Sequence, residues 1–227
     1  MVGLFYLRPM QELLRNAYKF KIWEKNLLKN GMTIHQIEEV YAKYRPNGEV
    51  LFALVNVDAT TPEGNKLLPI CFLKGEVVSV LVCLIDRATR AKSLLLVKQR
   101  RVCTGDYIYE QPAGMVDADD RPLDVAVREV GEETGLRVSP DRVTLLNAEP
   151  YFPSTGTSDE AVYFYYTELE LSRAEIGRLD AQTTGAAGEH EFIQTCVVPL
   201  EEAKTRITNV CGLLNIYLYL EKIGKNS

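Results

Sequence analysis

Residues 114–136 constrain the fold of this 227-residue chain more than any other stretch. They begin as a polar loop and continue with apolar residues at helical spacing, namely Leu123, Ala126, Val127 and Val130. Glu129, Glu132 and Glu133 fall at i, i+3 and i+4, so a helix presents them on one face. The pattern predicts an amphipathic helix whose apolar stripe packs on a core while its carboxylates point into a cleft.

Three carboxylates so close together repel one another unless a cation lies between them. Mg²⁺ prefers carboxylate and carbonyl oxygens and usually binds substrate phosphate as well. The acidic face therefore predicts a magnesium site, with Mn²⁺ as the alternative ion. The competing interpretation is a solvated acidic helix that ends at Gly135.

The same stretch resembles the Nudix box, in which a glycine and a glutamate precede Arg-Glu-aliphatic-x-Glu-Glu-x-Gly-aliphatic. The matching residues here are Gly114, Arg128, Glu129, Val130, Glu132, Glu133, Gly135 and Leu136. Asp120 stands where the family has its first glutamate, which keeps the charge on a shorter side chain. The resemblance implies a Nudix-type α/β/α sandwich with a mixed sheet. It also implies metal binding by Glu129, Glu133, Glu132 and the Ala113 carbonyl.

The order of predicted elements points to the same fold class. Apolar runs at 77–85 and 93–99, joined by a polar turn, predict a β-hairpin. Tyr107–Glu110 is predicted as a short strand that runs directly into the loop before Gly114. Further strands are predicted at 143–147, 162–167 and 192–198, with a closing helix at 200–223. This order predicts an α/β fold in which helices flank the sheet.

Residues 1–75 are predicted to form a small α/β appendage before the main domain at 76–227. The pattern indicates a helix at 9–30 that ends at Gly31, followed by strands at 50–57 and 69–73. In enzymes that the chain resembles, such an appendage joins two subunits, which implies a homodimer. The alternative is an extension without a function of its own.

Two segments before the box resemble the ADP-ribose and ADP-sugar diphosphatases of the Nudix family. The resemblance puts Glu110 at the metal and ribose edge of the site. Arg101 ends the run KQRR and is expected to hold a diphosphate, because guanidinium groups suit phosphate oxygens. Since neighbours on a strand face opposite ways, only one of Arg100 and Arg101 is expected to reach the site.

The segment EPYFPSTGTSDEAVYF resembles a substrate-closing loop of the same subgroup. It implies Ser158 as a substrate contact and Glu160 as the general base that activates water. A later segment, GEHEF, implies Glu191 as a further substrate contact, with Glu189 as the other acidic candidate. Gly114 completes the expected substrate-binding set. Glu132 and Glu133 are the alternative bases, and Arg128 is expected to tie the acidic helix to its loop by ion pairs.

Composition excludes several classes of protein. The formal net charge of −5 argues against a general nucleic-acid binder, which usually has a basic surface. No apolar run is long enough to span a bilayer, and the first residues lack the pattern of a secretory signal. The five cysteines are odd in number and form no CxxC pair, which is typical of reduced thiols. A cytoplasmic protein without a membrane partner is therefore predicted.

The predicted function is Mg²⁺-dependent hydrolysis of the diphosphate in a nucleoside diphosphate sugar, with ADP-ribose or ADP-glucose favoured. UDP- and GDP-sugars are the nearest alternative substrates. A non-catalytic nucleotide-binding regulator of the same fold is the alternative from another class, and loss of acidic box residues is the usual sign of one. Here only position 120 departs. A third possibility, an RNA-end hydrolase, would need a basic face, and the sequence shows no obvious one.

Overall fold

The computed structural model describes residues 8–117, 120–185 and 192–225. They divide into two compact units. The first unit contains the described residues up to Glu76, together with Asp117 and Ser154–Ala161. The second unit contains Val77–Val116 and the described residues of 120–153 and 162–225.

The first unit is a four-stranded sheet with two helices. Its elements are β1 (Arg8–Pro9), α1 (Glu12–Asn16), α2 (Tyr18–Lys29), β2 (Thr33–Tyr44), β3 (Val50–Thr60) and β4 (Ile70–Leu73). The strands pair antiparallel in the order β1-β2-β3-β4. Leu14, Phe20 and Trp23 of the helices pack against the buried residues of β3 and β4. Their burial joins the helices to the sheet.

The sequence predicted this unit in part. The single helix expected at 9–30 is two helices, because Ala17 between them is extended. Gly31 follows the last helix in the left-handed region, at φ 79°, so the predicted end of the helix is confirmed. The long strand β2 was not predicted. Most of its residues are exposed or half-buried, so its sequence lacks a clear apolar alternation.

The second unit is built around a larger sheet. Its strands are β5 (Glu76–Asp86), β6 (Lys92–Arg100), β7 (Tyr107–Glu110), β8 (Ala113–Met115), β9 (Thr144–Leu145), β10 (Ala161–Leu171), β11 (Thr183–Thr184) and β12 (Ile193–Pro199). Its helices are α3 (Pro122–Thr134), α4 (Arg173–Arg178), α5 (Leu200–Arg206) and α6 (Val210–Gly224). The strand order is β11-β12-β6-β5-β10-β9, while β7 pairs with β6 and β8 with β5.

The central strand β5 is covered on both faces. Val78, Val80, Val82 and Leu84 pack in one cluster with the α3 residues Val125, Ala126 and Val130. Leu81, Cys83 and Ile85 pack in another cluster with α5 and α6, through Ala203, Ile216 and Tyr219. Because side chains alternate along a strand, these two sets lie on opposite faces of the sheet. The predicted α/β class and the sandwich of helix, sheet and helix are confirmed.

The closing helix differs from its prediction. The single helix expected at 200–223 is divided into α5 and α6, because Ile207 is extended, with φ −82° and ψ 127°. The side chain of Asn209 then accepts a hydrogen bond from Gly212 N at 2.6 Å and begins a new helix. The restart changes which residues face the core. Val210, which continues the helical spacing of the apolar residues Ala203 and Ile207, is 62% exposed.

Two further observations concern thiols and helices. All five cysteines are free in the structure. No helix in the described part of the chain is long and apolar enough to cross a membrane.

Candidate metal and substrate site

The acidic helix α3 has clear signals at both ends. Pro122 occupies its first turn, and Arg121 before it pairs with Asp124 at 2.7 Å. Gly135 ends the helix in the left-handed conformation, at φ 72°, and donates to the carbonyl of Gly131. The helix therefore has fixed ends as well as a buried face, and both hold its carboxylates in place.

Glu129 lies directly against Gly114 of β8. A Cβ atom built on Gly114 would lie 2.0 Å from Oε1 of Glu129 and 2.2 Å from its Cδ. Real Cβ atoms do not approach other atoms this closely, so only glycine leaves room for the carboxylate. The Glu129 side chain is 13% exposed, which limits the alternative positions open to it.

Glu133, one turn later, meets the neighbouring residue of the same strand. Its Oε2 accepts a hydrogen bond from Ala113 N at 3.1 Å, and the residue is only 4% exposed. The carbonyl oxygen of Glu133 accepts a bond from Thr184 Oγ1 at 2.6 Å, which fixes the backbone at this turn. Two carboxylates of α3 therefore meet two consecutive residues of β8.

Glu132 is placed differently. It is exposed and lines a shallow pocket beside Arg128 and Arg137. Within 8–117, 120–185 and 192–225, no three His, Cys, Asp or Glu side chains form a group that would hold a metal ion as it stands. The structure thus brings Glu129 and Glu133 together at β8, and it leaves Glu132 outside that pair.

The pair at β8 fits a hard divalent ion. Its donor atoms are carboxylate oxygens, which Mg²⁺ prefers. Glycine at position 114 leaves space for the Glu129 carboxylate, and a side chain at that position would exclude it. The hydrogen bond from Ala113 N to Glu133 keeps the start of β8 in contact with α3. Two carboxylates held at one strand offer oxygen ligands of the kind that such an ion binds.

Arg128 joins the helix to the loop before it. Its Nη1 lies 3.1 Å from Asp120 Oδ2, and its Nη2 lies 3.4 Å from Glu129 Oε1. Burial lowers the pKa of the Arg128 guanidinium, but the hydrogen bond to Asp120 and the charge of Glu129 raise it by more, so the pKa is raised overall. Asp120, in the position of the first box glutamate, is therefore held by Arg128 despite its shorter side chain.

Arg101 and Glu110, both predicted to bind substrate, form an ion pair. Arg101 Nη2 lies 2.8 Å from Glu110 Oε2, and its Nε donates to the same oxygen at 2.9 Å. Gln99 adds a third bond to this oxygen at 3.3 Å. Arg100 binds elsewhere, since its Nη1 donates to the carbonyl of Gly105 and its guanidinium lies over the ring of Tyr107.

Sequence reasoning missed Gln111. Its side chain is buried at 3% exposure, and its Nε2 donates to the carbonyl of Gly212 in α6 at 3.0 Å. Asn215 of the same helix donates to Ser79, the residue paired with Ala113, at 3.2 Å. Helix α6 therefore supports Gln111, which precedes β8, and the β5 residue that pairs with Ala113. The signal available in the sequence was a polar residue between a strand and Pro112.

Gly212→Ala is expected to destabilise the protein by about 1–2 kcal/mol, which is the usual scale of overpacking. The Cβ added at position 212 would lie 2.7 Å from Oε1 of Gln111 and 2.7 Å from Cγ2 of Ile207. The gain of roughly 0.5–1 kcal/mol from replacing a helical glycine does not offset this clash. Urea unfolding measures the difference.

The matched control is Gly177→Ala in α4, where an added Cβ meets nothing within 4 Å. It is expected to leave the unfolding free energy unchanged or to raise it. Equal stability of the Gly212 variant and this control would contradict the described packing of Gln111.

Ser158 and Glu160 belong to the first unit. Ser158 Oγ donates to the carbonyl of Phe72 at 3.0 Å and accepts a bond from Glu160 N at 3.1 Å. Glu160 Oε1 lies 2.5 Å from the Nζ of Lys74. Glu191, the remaining predicted substrate contact, and Glu189 lie outside the described residues.

Comparison with known proteins gives one family. A model of the NUDIX domain matches residues 75–211. Over 165 residues the chain is 33% identical to Nudix hydrolase 14, chloroplastic, of Arabidopsis thaliana, with 69% of this chain and 52% of the relative covered. Over 111 residues it is 35% identical to the ADP-ribose pyrophosphatase of Bacillus subtilis, with 48% and 53% covered. The chain spans about half the length of these curated relatives.

A solved structure shares the fold. The crystal structure of an ADP compounds hydrolase superposes with a TM-score of 0.59 at 18% identity, covering 86% of this chain and 96% of the other. The family match covers more than half of the chain and includes β5, β8 and the whole of α3. The residues that place Glu129 and Glu133 against Gly114 and Ala113 therefore lie inside it, and the chain belongs to the NUDIX domain family.

Proposed function

We propose that this protein hydrolyses the diphosphate of a nucleoside diphosphate sugar, with a nucleoside monophosphate and a sugar phosphate as products. ADP-ribose and ADP-glucose are the proposed substrates. The observation that carries the proposal is the meeting of Glu129 and Glu133 with Gly114 and Ala113. The names of the relatives, an ADP-ribose pyrophosphatase and an ADP compounds hydrolase, support an adenosine substrate.

Glu129, Glu133 and the Ala113 carbonyl would hold Mg²⁺, or Mn²⁺ in its place. When bound, such an ion supplies positive charge to the diphosphate and lowers the pKa of attacking water. Glu132, one residue before Glu133, is the proposed third carboxylate when substrate and metal are present. Arg128 keeps α3 joined to its loop through Asp120.

Arg101 is the proposed ligand of the diphosphate. Its guanidinium pairs with Glu110, which fixes the orientation of the arginine. The Arg101 side chain is 46% exposed, so a ligand can still reach it. A phosphate oxygen would compete for the same planar donors, which suit it in a two-bond geometry. Glu110 would then be available to the ribose or the metal.

Glu160 is the proposed general base, which takes the proton from water as it attacks phosphorus. This role rests on the resemblance of its loop, and Glu132 and Glu133 are the alternative bases. Ser158, Gly114 and Glu191 complete the proposed substrate contacts. The homodimer and the cytoplasmic location stay predictions.

Nucleotide release from four substrates tests the proposal. ADP-ribose, ADP-glucose, UDP-glucose and GDP-mannose would each be incubated with the protein in Mg²⁺, in Mn²⁺ and in EDTA. Release of AMP from the two adenosine substrates is expected, with kcat/KM at least ~10-fold above the other two, a difference of about 1.4 kcal/mol. EDTA is expected to abolish it.

Each contrary outcome has a distinct meaning. Faster release from UDP-glucose or GDP-mannose would mean that the substrate carries a nucleobase other than adenine, while the proposed reaction would stand. No release from any substrate, with tight nucleotide binding by calorimetry, would contradict hydrolysis and favour the binding regulator. The retained Arg128, Glu129, Glu132 and Glu133 argue against that outcome.

A further inference from the structure

The segment Ser154–Ala161 lies along β4 within the first unit. Phe72 N donates to the carbonyl of Thr157 at 2.7 Å, and Asp159 N donates to the carbonyl of Phe72 at 3.4 Å. Phe72 and Ser158 form a parallel bridge. The segment therefore adds a short parallel stretch to the sheet of the appendage.

Asp159 binds the turn that follows β4. Its Oδ1 accepts hydrogen bonds from Lys74 N at 2.7 Å and from Gly75 N at 3.1 Å. Gly75 has a φ of 82°, in the left-handed region, and its carbonyl accepts a bond from Ala161 N at 3.3 Å. Burial raises the pKa of the Asp159 carboxyl, although both N–H donors oppose this effect.

Lys19 of α2 holds the same turn from the other side. It is 7% exposed, and its Nζ donates to the carbonyls of Leu51 at 2.8 Å and Lys74 at 3.3 Å. The same Nζ lies 3.7 Å from Asp117 Oδ1. A Cβ on Gly75 would lie 3.2 Å from the Lys19 Cβ, so helix and turn pack closely. The turn is thus bonded through its carbonyl by Lys19 and through its N–H groups by Asp159.

Glu160 comes directly after this anchor. Its carboxylate pairs with the Nζ of Lys74 at 2.5 Å, and the two side chains are 19% and 29% exposed. One residue, Lys74, therefore bonds Asp159 through its backbone and Glu160 through its side chain. The anchor of the chain and the carboxylate of Glu160 are therefore consecutive residues bonded to the same turn.

We propose that Asp159 is a positioning residue for the hydrolysis. It anchors Ser154–Ala161 on the turn at Lys74 and Gly75, and so sets where Glu160 presents its carboxylate. This inference rests on the proposed function, in which Glu160 takes the proton from water. It gives the first unit a role, which is to hold the segment that carries Glu160.

Asp159→Ala tests the proposal through two readouts. Amide hydrogen exchange in 154–161 is expected to rise at least ~10-fold, because the anchor of the segment is lost. The kcat for ADP-ribose is expected to fall ~10- to 50-fold with KM changed less than ~3-fold, since displacement of a reacting group slows chemistry more than binding. Asp159→Asn keeps an acceptor oxygen and is expected to restore most of both.

Two further variants separate the alternatives. Glu160→Gln is expected to lower kcat without faster exchange, because the anchor remains. Asp58→Ala removes an exposed aspartate of the same unit, which pairs with Lys66 at 2.8 Å, and is expected to change neither readout. If Asp159→Ala does not fold, Lys19→Met tests the other side of the turn, with the same expected results.

The outcomes decide the inference separately from the proposed function. Unchanged exchange in Asp159→Ala would overturn the anchor. Faster exchange with unchanged kcat would overturn the positioning role. A wild-type protein without turnover would overturn the proposed function, whereas exchange in the variants would still decide whether Asp159 anchors the segment.

Discussion

Glu129→Gln should lower kcat for AMP release from ADP-ribose by at least about 100-fold, or ~2.7 kcal/mol of transition-state stabilisation. The amide keeps the shape of the side chain but removes the negative charge that a divalent ion requires. Glu129 lies directly against Gly114, and its side chain is only 13% exposed, so the substitution is expected to leave the amide in the same place. Steady-state kinetics over a range of Mg²⁺ measures the loss, and Mn²⁺ binding followed by paramagnetic resonance measures the affinity for the ion.

The matched control is Glu170→Gln, an exposed glutamate of the same unit that pairs with Arg90 at 2.7 Å. It is expected to retain wild-type turnover. Glu132→Gln, made in parallel, decides whether the exposed third glutamate contributes to metal binding. If Glu129→Gln keeps the wild-type kcat and the wild-type dependence on Mg²⁺, Glu129 is not a metal ligand. The acidic helix would then have only a structural role.

Gly114→Ala should impair the enzyme nearly as much, although alanine is only one methyl larger. The added Cβ would lie 2.0 Å from Oε1 and 2.6 Å from Cγ of Glu129, so the carboxylate must leave its place. We expect kcat to fall ~100-fold and the unfolding free energy to fall by about 1–3 kcal/mol, as overpacking does. Kinetics and urea unfolding of the same preparation measure both.

Gly131→Ala is the control for this substitution. Gly131 lies in α3, and its added Cβ would meet only the Leu136 carbonyl oxygen, at 3.7 Å. A helical alanine should raise stability by roughly 0.5–1 kcal/mol without loss of turnover. If Gly114→Ala keeps the activity and stability of Gly131→Ala, the described contact between Gly114 and Glu129 is wrong.

The parts of the fold that the sequence predicted are those with a strong local pattern. Strand β5 is buried on both faces, so its continuous apolar run identified it. The ends of α3 carry a proline and a glycine in their usual positions. The break between α5 and α6 was missed because Ala203, Ile207, Val210 and Leu214 recur at helical spacing, so the apparent stripe runs across the point where Asn209 starts a new helix.

The same distinction holds for the site. Residues four apart on a helix differ by about 40° around its axis, whereas residues three apart differ by roughly 60° in the other direction. Glu129 and Glu133 can therefore meet one strand while Glu132 stays exposed. The bonds of Gln111 to Gly212 and of Asp159 to Lys74 join residues 101 and 85 positions apart. No local periodicity predicts contacts of this kind.

The pairing of Ser154–Ala161 with β4 also affects how the protein behaves in concentrated solution. A sheet edge with unpaired N–H and carbonyl groups is a template for aggregation. Ile70 and Phe72 of β4 are 40% and 37% exposed, so an uncovered edge here would be apolar as well. The segment occupies the backbone groups of Phe72. Deleting Ser154–Ala161 would expose this apolar edge and is therefore expected to lower the solubility of the protein.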